Sequence, residues 1–256
     1  MTETPASSSF RLAYVPGVTP SKWARVWNER LPQTPLDLAL VPASAGQSTL
    51  RAGDADAGLV RLPVDKTELH AIPLYTEATV VVMPKDHRLA ETPEVPLAEL
   101  AEELVLHPQD DVLGWSERPP GQAAAERPET TKDAVELVAA GIGVVLVPQS
   151  LARLHHRRDL TYRPVPEGEA PQSQVALAWR QDRGSELIEE MIGIVRGRTV
   201  NSSRGATATA AANQAPKKPA ARKQSQQPQK QQRQQKPAPR GGKPSPKRSG
   251  RPGRRG

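Results

Sequence analysis

The sequence predicts an α/β fold with a parallel sheet, followed by a basic segment without fixed structure. Residues 10–61 alternate between short apolar runs and amphipathic stretches, an order that gives parallel strands joined by right-handed crossovers. Residues 130–148 repeat this alternation as a helix, a glycine turn and an apolar run. Beyond Val200 there is no Leu, Ile, Val, Met or aromatic residue. That part has too little apolar surface to offset its chain entropy, so it is predicted to be disordered.

The first half of the fold is predicted from strands of five or six residues and the helices between them. The strands are placed at 10–15, 36–41 and 57–61. Thr19 is expected to cap the first helix, with Pro20 at its first position. The apolar stripe of this helix consists of Trp23, Val26, Trp27 and Leu31. A short second helix at 47–52 is expected to end at Gly53.

The following elements are less regular. Residues 69–75 are predicted to be an edge strand, because Pro73 cannot donate a ladder hydrogen bond. Residues 79–83 are almost entirely apolar and are predicted to be a central strand. Further elements are a helix at 97–103, a strand at 104–107, a helix from 149 to 154, strands at 160–164 and 175–180, and a final helix capped by Ser185.

The stretch TTKDAVELVAAGIGVVLVP has the clearest local pattern. Thr130 is predicted to cap a helix, with Asp133 as the reciprocal acid. Gly141 suits the left-handed residue that ends a helix, and 144–147 reads as a strand covered on both faces. The helix start and its hydroxyls would form a seat for a small anion. The glycines follow a helix and precede a strand, the reverse of a dinucleotide-binding fingerprint, so that function is rejected.

The charges are segregated along the chain. Residues 201–256 carry 15 of the 35 basic residues and none of the 28 acidic ones, which leaves residues 1–200 with a net charge of about −8. Such a tail can bind nucleic acid without sequence preference, or it can dock on an acidic protein surface. The residues expected to make the nucleic-acid contacts are Arg240, Lys243, Lys247, Arg248, Arg251, Arg254 and Arg255.

Composition and spacing argue against several functional classes. The chain has no cysteine, which rules out disulfides and thiolate chemistry. The residues at 1–10 lack the charged and apolar regions of a signal peptide, and no apolar run is long enough to span a bilayer. We therefore expect a cytoplasmic protein without membrane contact. No catalytic constellation and no convincing metal site is apparent, including at His155-His156. No enzymatic activity and no cofactor are predicted.

Four segments in the same order carry a family resemblance. They are AGDADAGLVRLP (52–63), PLYTEATVVVMPKDHRLA (73–90), PLAEL (96–100) and ELVAAGIGVVLVPQSLA (136–152). Together they resemble the effector-binding domain of LysR-type transcriptional regulators, across roughly residues 9–198. Arg88 stands where the family usually has proline.

The resemblance implies a fold like that of periplasmic solute-binding proteins, with two α/β subdomains joined by two crossover strands. Subdomain 1 is expected to comprise 9–84 and 175–198, and subdomain 2 to comprise 85–174. A disordered N-terminus at 1–8 and a disordered tail at 199–256 would flank them. A small-molecule effector, expected to be an anionic metabolite, would lie in the cleft between the subdomains.

Two further expectations concern assembly. The first helix of the family packs across an antiparallel dimer, so Trp23 and Trp27 are predicted to lie at a homodimer interface. The family carries a winged helix-turn-helix ahead of the sensor domain. Because the sensor-like region begins near residue 9, the chain is expected to lack its own DNA reader.

The expected effector contacts come from loops that face each other across the cleft. The resemblance places backbone N–H groups and hydroxyls of subdomain 1 around the effector, and Gly17 stands where serine or threonine is common. Thr19 could equally be a helix cap, and Arg61 could equally be a solvated arginine at a strand end. Trp115 is either a wall of the cleft or a packing residue. The full predicted set is Gly17, Val18, Thr19, Ala43, Ser44, Arg61, His107, Trp115, Thr130 and Thr131.

Three functional hypotheses follow. The first is a dimeric metabolite sensor that acts in transcription regulation. The alternative is a nucleic-acid-associated protein that uses its tail for non-specific binding and the sensor-like domain as a dimerisation body. An enzyme on the same two-lobed fold, such as a dehydratase, is the weakest hypothesis, because the cleft offers hydroxyls and Arg61 but no acid/base pair.

Overall fold

The computed structural model describes residues 9–198. The predictions made for residues 1–8 and 199–256, including the basic residues from Arg240 to Arg255, lie outside this range. Within 9–198, none of the helices has the length and apolar character that crossing a bilayer requires.

Five strands form the first sheet, in the order β2-β1-β3-β10-β4. They are β1 (Phe10–Tyr14), β2 (Leu36–Leu40), β3 (Ala57–Arg61), β4 (Leu69–Glu77) and β10 (Ser173–Arg180). Strands β2 and β3 pair parallel to β1, as predicted from the alternation of strands and helices. β10 runs antiparallel to β3 and to β4, and β4 is an edge strand, which also confirms the prediction made from Pro73.

Three helices and a 3-10 turn belong to this half of the molecule. They are α1 (Ser21–Arg30), the turn Ala43–Ala45, α2 (Gly46–Ala52) and α5 (Glu186–Val195). Their apolar faces close a core in which Trp27 is fully buried and lies against Phe10, with ring centroids 4.7 Å apart. The indole N–H of Trp27 donates to the carbonyl oxygen of Thr34 at 2.9 Å. The prediction that Trp27 lies at a dimer interface is therefore wrong, because its side chain is fully buried in the core of its own subdomain and is not accessible to a second chain.

The second sheet also has five strands, in the order β7-β6-β8-β5-β9. They are β5 (Thr79–Pro84), β6 (Leu104–Leu106), β7 (Gln122–Ala123), β8 (Val144–Pro148) and β9 (Leu160–Pro164). This half also contains α3 (Thr131–Ala139), α4 (Gln149–Leu154) and two 3-10 turns, Arg88–Glu91 and Leu97–Leu100. The helix expected at 97–103 is thus only one 3-10 turn.

Both faces of the second sheet are covered. Val145 and Val147 of β8 pack with α3 and α4 on one face, whereas Val144 and Leu146 pack with the 3-10 turns on the other. All five residues of β8 are buried, as expected for a strand that reads as a continuous apolar run.

The chain passes between the sheets twice. The first crossing is at Ala78, between β4 and β5, and the second is the segment from β9 to β10. The sequence-based boundary placed residues 79–84 in the first subdomain, and this was wrong: β5 pairs with β8 and β9. An almost entirely apolar strand needs neighbours on both edges, and the second sheet supplies them. The first crossover is therefore the single residue Ala78.

The ends of the helices follow mostly local rules. Thr130 and Asp133 form a complete capping box, and Ser185 caps α5, as predicted. After α3, the N–H of Ile142 donates to Leu137 and that of Gly141 to Val138, with Gly141 at a φ of 81°, which is a Schellman ending. At α1 the prediction was wrong. Pro20 occupies the cap position and no side chain caps the helix, so Thr19 is not its N-cap.

Candidate functional site

The carboxyl ends of β1, β2 and β3 lie at one edge of the first sheet, because the three strands are parallel. The loops that leave this edge carry 16–19 after β1 and 43–44 after β2, while Arg61 is the last residue of β3. Ligands of open α/β sheets bind beyond such carboxyl ends. The residues of the first subdomain that were predicted to contact the effector thus all lie at this one edge of the sheet.

The opposite wall comes from the second sheet. His107 follows β6, and α4 begins directly after β8, so both leave the carboxyl ends of parallel strands. The turn at Gly17 lies against α4: a methyl group added to Gly17 would sit 2.6 Å from Ser150 Oγ and 3.1 Å from Leu151 Cδ2. The two subdomains therefore touch at this end of the cleft.

Arg61 lies at the centre of a buried polar cluster between these walls. Its Nε donates to Glu77 Oε2 at 3.1 Å and to Ser173 Oγ at 2.9 Å. Its Nη1 donates to the carbonyl oxygen of Pro16 at 2.9 Å, and its Nη2 donates to Ser150 Oγ at 3.2 Å. The side chain is only 6% exposed. Arg61 is thus an internal cation, and not the solvated arginine of the alternative interpretation.

Glu77 is the counter-charge of Arg61 in this cluster. Its side chain is 5% exposed, and Oε2 also accepts from Ser173 Oγ at 2.9 Å. The second oxygen, Oε1, is buried and has no hydrogen-bond partner among the described residues. Burial raises the pKa of the nearby Tyr75 hydroxyl, and the negative charge of Glu77 acts in the same direction. Since Arg61 and Glu77 cancel each other, the cluster carries no net charge.

The predicted anion seat at the start of α3 holds carboxylates of the chain itself. The N–H of Thr131 donates to Asp110 Oδ1 at 2.6 Å, and its hydroxyl donates to the same oxygen at 2.8 Å. The Thr130 hydroxyl donates to Asp133 Oδ2 at 2.7 Å. Both carboxylates are stabilised by the partial positive charge of the helix N-terminus. A free anion would meet two negative charges there.

His107 lies beside this helix start. Its Nε2 is 3.8 Å from Asp111 Oδ2, too far for a hydrogen bond. Burial lowers the pKa of His107, and the positive charge of Arg127 lowers it further. The negative charge of Asp111 acts in the opposite direction but is outweighed. The Arg127 guanidinium donates to the carbonyl oxygens of His107 and Pro108. At neutral pH His107 is therefore an uncharged side chain.

Trp115 is not grouped with the threonines. It packs against the cluster of Val81, Leu146 and the 3-10 turns, on the face of the second sheet opposite α3 and α4. Its indole N–H is buried without a hydrogen-bond partner among the described residues. Of the two interpretations made from the sequence, the packing role fits this position.

Several donors of the first subdomain have no hydrogen-bond partner among the residues that the structure describes. The backbone N–H groups of Gly17, Thr19, Ala43 and Ser44 make no hydrogen bond there, and neither do the Thr19 and Ser44 hydroxyls. The N–H of Val18 differs, because it donates to the carbonyl oxygen of Val15 at 3.2 Å. Free backbone donors at one edge are suited to bind a small acceptor-bearing ligand.

The sequence reasoning missed four residues of this region: Glu77, Asp110, Ser150 and Ser173. Ser150 carried a usable signal, since it stands at the start of a helix directly after a buried strand, as Thr19 and Ser44 also follow strands. Glu77 and Ser173 carried no such signal, because they are separated from Arg61 by 16 and 112 residues.

The chain matches a known family model over most of its length. The model is described as LysR substrate binding domain and matches residues 5–199. Similar curated proteins include the Hca operon transcriptional activator HcaR of Escherichia coli, 27% identical over 179 residues, which cover 66% of this chain and 60% of that protein. The HTH-type transcriptional regulator AlsR of Bacillus subtilis is 26% identical over 184 residues, covering 66% and 59%. The chain thus spans about three fifths of the length of these relatives.

Solved structures with the same fold include those of BenM and OxyR. The BenM effector binding domain with its effector benzoate gives a TM-score of 0.63 at 21% identity, covering 77% of this chain and 94% of that one. The oxidized form of OxyR gives 0.61 at 22% identity, covering 74% and 93%. At these identities the likeness concerns the fold, and it confirms the two-subdomain architecture predicted from the sequence.

Proposed function

Because the chain belongs to the LysR substrate-binding domain family, we propose that it senses a small polar metabolite in the cleft between its two subdomains. The similar proteins HcaR and AlsR are transcriptional regulators, and this supports a regulatory and non-enzymatic role. The observation that carries the proposal is the group of donors on Gly17, Thr19, Ala43 and Ser44 without partners among the described residues, next to the place where Gly17 meets Ser150 of the second subdomain. A bound effector would shift the balance between two arrangements of the subdomains.

The effector is proposed to be anionic and to bind at the first-subdomain wall. The free N–H groups of Ala43 and Ser44 begin a 3-10 turn and are not neutralised by a carboxylate of the chain. The other candidate seats are less suitable, since Arg61 is paired with Glu77, and Asp110 occupies the start of α3. We therefore assign the carboxylate of the effector to the turn at 43–44, with Thr19 and Ser44 as hydroxyl donors.

A thermal-shift screen with small carboxylates and other polar metabolites tests this function. A ligand at about 100 times its dissociation constant adds about 2.7 kcal/mol to the unfolding free energy, which is easily seen as a rise in Tm. The screen should cover carboxylates, phosphates and neutral metabolites. The sensor function would be rejected if none of them raised the Tm and none changed the small-angle X-ray scattering profile.

Ala43→Pro is the variant that tests the assigned seat. Proline at the first position of a helical turn removes the N–H and leaves the turn intact, and Pro42 already has the extended conformation, ψ 147°, that a residue before proline needs. We expect about a tenfold to hundredfold loss of affinity for a carboxylate ligand, as for one lost hydrogen bond to a charged group, measured by calorimetry. The urea midpoint without ligand should not change. Unchanged affinity would contradict the assignment.

The protein is also proposed to act as a homodimer. β2 is an edge strand on which Leu38 and Leu40 are 43% and 61% exposed, and Trp23 on the adjacent α1 is half-buried. An edge strand with exposed leucines is a surface that another chain can cover. Sedimentation equilibrium of the full chain checks this, and a monomer at micromolar concentrations would contradict it.

Contact with DNA or RNA through residues 201–256 is a further proposal, supported by their charge alone. Neutralised phosphates release counterions, so binding should weaken steeply with salt. We expect a truncated chain ending at residue 200 to lose most affinity and most of the salt slope, measured by fluorescence anisotropy with a random duplex. If both survive the truncation, the tail is not the contact.

A further inference from the structure

The hydrogen bond between Arg61 Nη2 and Ser150 Oγ, 3.2 Å long, joins the two subdomains. The other groups that accept hydrogen bonds from the Arg61 guanidinium all belong to the first half: the side chain of Glu77 at the end of β4, the side chain of Ser173 at the start of β10, and the carbonyl oxygen of Pro16 after β1. Ser150 is different, because it lies in the first turn of α4, after the central strand β8 of the second sheet. Any relative movement of the subdomains at this end must therefore stretch this one bond of the cluster.

Gly17 allows the two halves to approach closely enough for the bond to form. It has a φ of 85°, which other residues rarely adopt, and an added methyl would lie 2.6 Å from Ser150 Oγ and 3.0 Å from Arg61 Nη2. The serine hydroxyl and the guanidinium thus occupy the space that a side chain at position 17 would need. The close approach depends on glycine both for its backbone and for its lack of a side chain.

The burial and charge of Arg61 make the Arg61–Ser150 hydrogen bond strong enough for its loss to be measured. The donor is a charged guanidinium whose side chain is 6% exposed, so the bond forms in a region of low dielectric. Hydrogen bonds to charged groups contribute enough to change an equilibrium constant by about a factor of ten or more. The remaining bonds of Arg61 hold the guanidinium in place when Ser150 is removed, so the loss is confined to the link between the subdomains.

We propose that Arg61, Ser150 and Gly17 form a closing contact that holds the two subdomains together in the effector-free protein. Movement of the subdomains breaks the Arg61–Ser150 bond, and the equilibrium of this contact sets how much binding free energy an effector needs to change the arrangement. The sensing role of the contact rests on the proposed function, whereas the existence of the contact and its effect on the free protein do not.

The distance between the subdomains can be measured directly, because the chain contains no cysteine. Ser48→Cys on α2 and Lys132→Cys on α3 place one spin label on each subdomain at exposed positions. Double electron–electron resonance then gives the distribution of distances without effector. In this labelled background, Ser150→Ala is expected to raise the population of longer distances relative to the closed one by about tenfold. Gly17→Ala is expected to do the same by steric exclusion.

Ser173→Ala is the matched control. It removes a hydrogen bond from the same guanidinium and from Glu77, but Ser173 lies in the first sheet. It should lower the unfolding free energy without changing the distance distribution. If Ser150→Ala leaves the distribution unchanged, or if Ser150→Ala and Ser173→Ala broaden it equally, the closing contact is refuted. Should Gly17→Ala fail to fold, the comparison of the two serine variants still decides the outcome.

These measurements are independent of any ligand. A metabolite screen without hits would reject the proposed sensor function while the distance change caused by Ser150→Ala would stand. Conversely, an unchanged distance distribution in a protein that does bind a metabolite would reject only the closing contact.

Discussion

Arg61→Met is expected to destabilise the protein by about 3–5 kcal/mol, because it leaves Glu77 buried without a counter-charge. Both side chains of the pair are about 95% buried, and Glu77 Oε1 already lacks a hydrogen-bond partner among the described residues. Solvent therefore cannot replace the lost guanidinium. The measurement is urea unfolding at pH 7, followed by circular dichroism.

Two further variants make the result specific. Arg61→Met combined with Glu77→Gln removes both charges, so it should recover a large part of the loss. Arg157→Met is the matched surface control: Arg157 and Asp159 are about half exposed and 3.4 Å apart, and such pairs contribute at most about 1 kcal/mol. If Arg61→Met lowers the unfolding free energy no more than Arg157→Met does, the Arg61–Glu77 pair does not contribute the stability predicted for it.

Gly143→Ala is expected to cost about 4 kcal/mol or more, one of the large effects that a single substitution can have. Gly143 has a φ of 64°, and its added methyl would overlap the carbonyl oxygen of Leu104. Leu104 begins β6, and the next residue, Val105, is paired with Val144 of β8. The backbone oxygen cannot move away without separating these two strands.

Gly141→Ala, two residues earlier, provides the comparison. Gly141 has a similar φ of 81°, but nothing lies within 4 Å of the added methyl. Only the left-handed backbone is then penalised, at about 1–2 kcal/mol. Chemical unfolding of the two variants separates the steric cost from the conformational one. Equal losses for both substitutions would show that Leu104 yields easily and would contradict the prediction.

The two glycines also show what local sequence reveals. The role of Gly141 as the residue that ends α3 was predictable, since it depends on the chemistry of a few neighbouring residues. That of Gly143 was not, because the atom that excludes a side chain belongs to Leu104, nearly forty residues away. The same holds for Thr130 and Thr131: the capping box was predicted from spacing, whereas the Asp110 carboxylate on Thr131 was not.

The candidate site divides in the same way. The sequence located the loops at the carboxyl ends of the parallel strands, because the order of strands and helices determines which loops share an edge. It did not reveal whether their groups were free. Arg61 proved to be neutralised by Glu77, and Trp27 proved to be core although it shares a helical stripe with Trp23. An apolar stripe predicts which face of a helix points inward. How deeply each residue of that face is buried depends on which other elements pack against it.

By itself the sequence determined the α/β class, the family, most strand and helix positions, and the helix ends whose partners lie within about four residues. These features depend on periodicity, glycine conformation and capping, which act over short distances along the chain. Only the tertiary structure decided that β5 belongs to the second sheet, that Arg61 lies between Glu77 and Ser150, and that Gly17 lets the subdomains touch. Each of these rests on atoms that are distant in sequence and meet only after the sheets have formed.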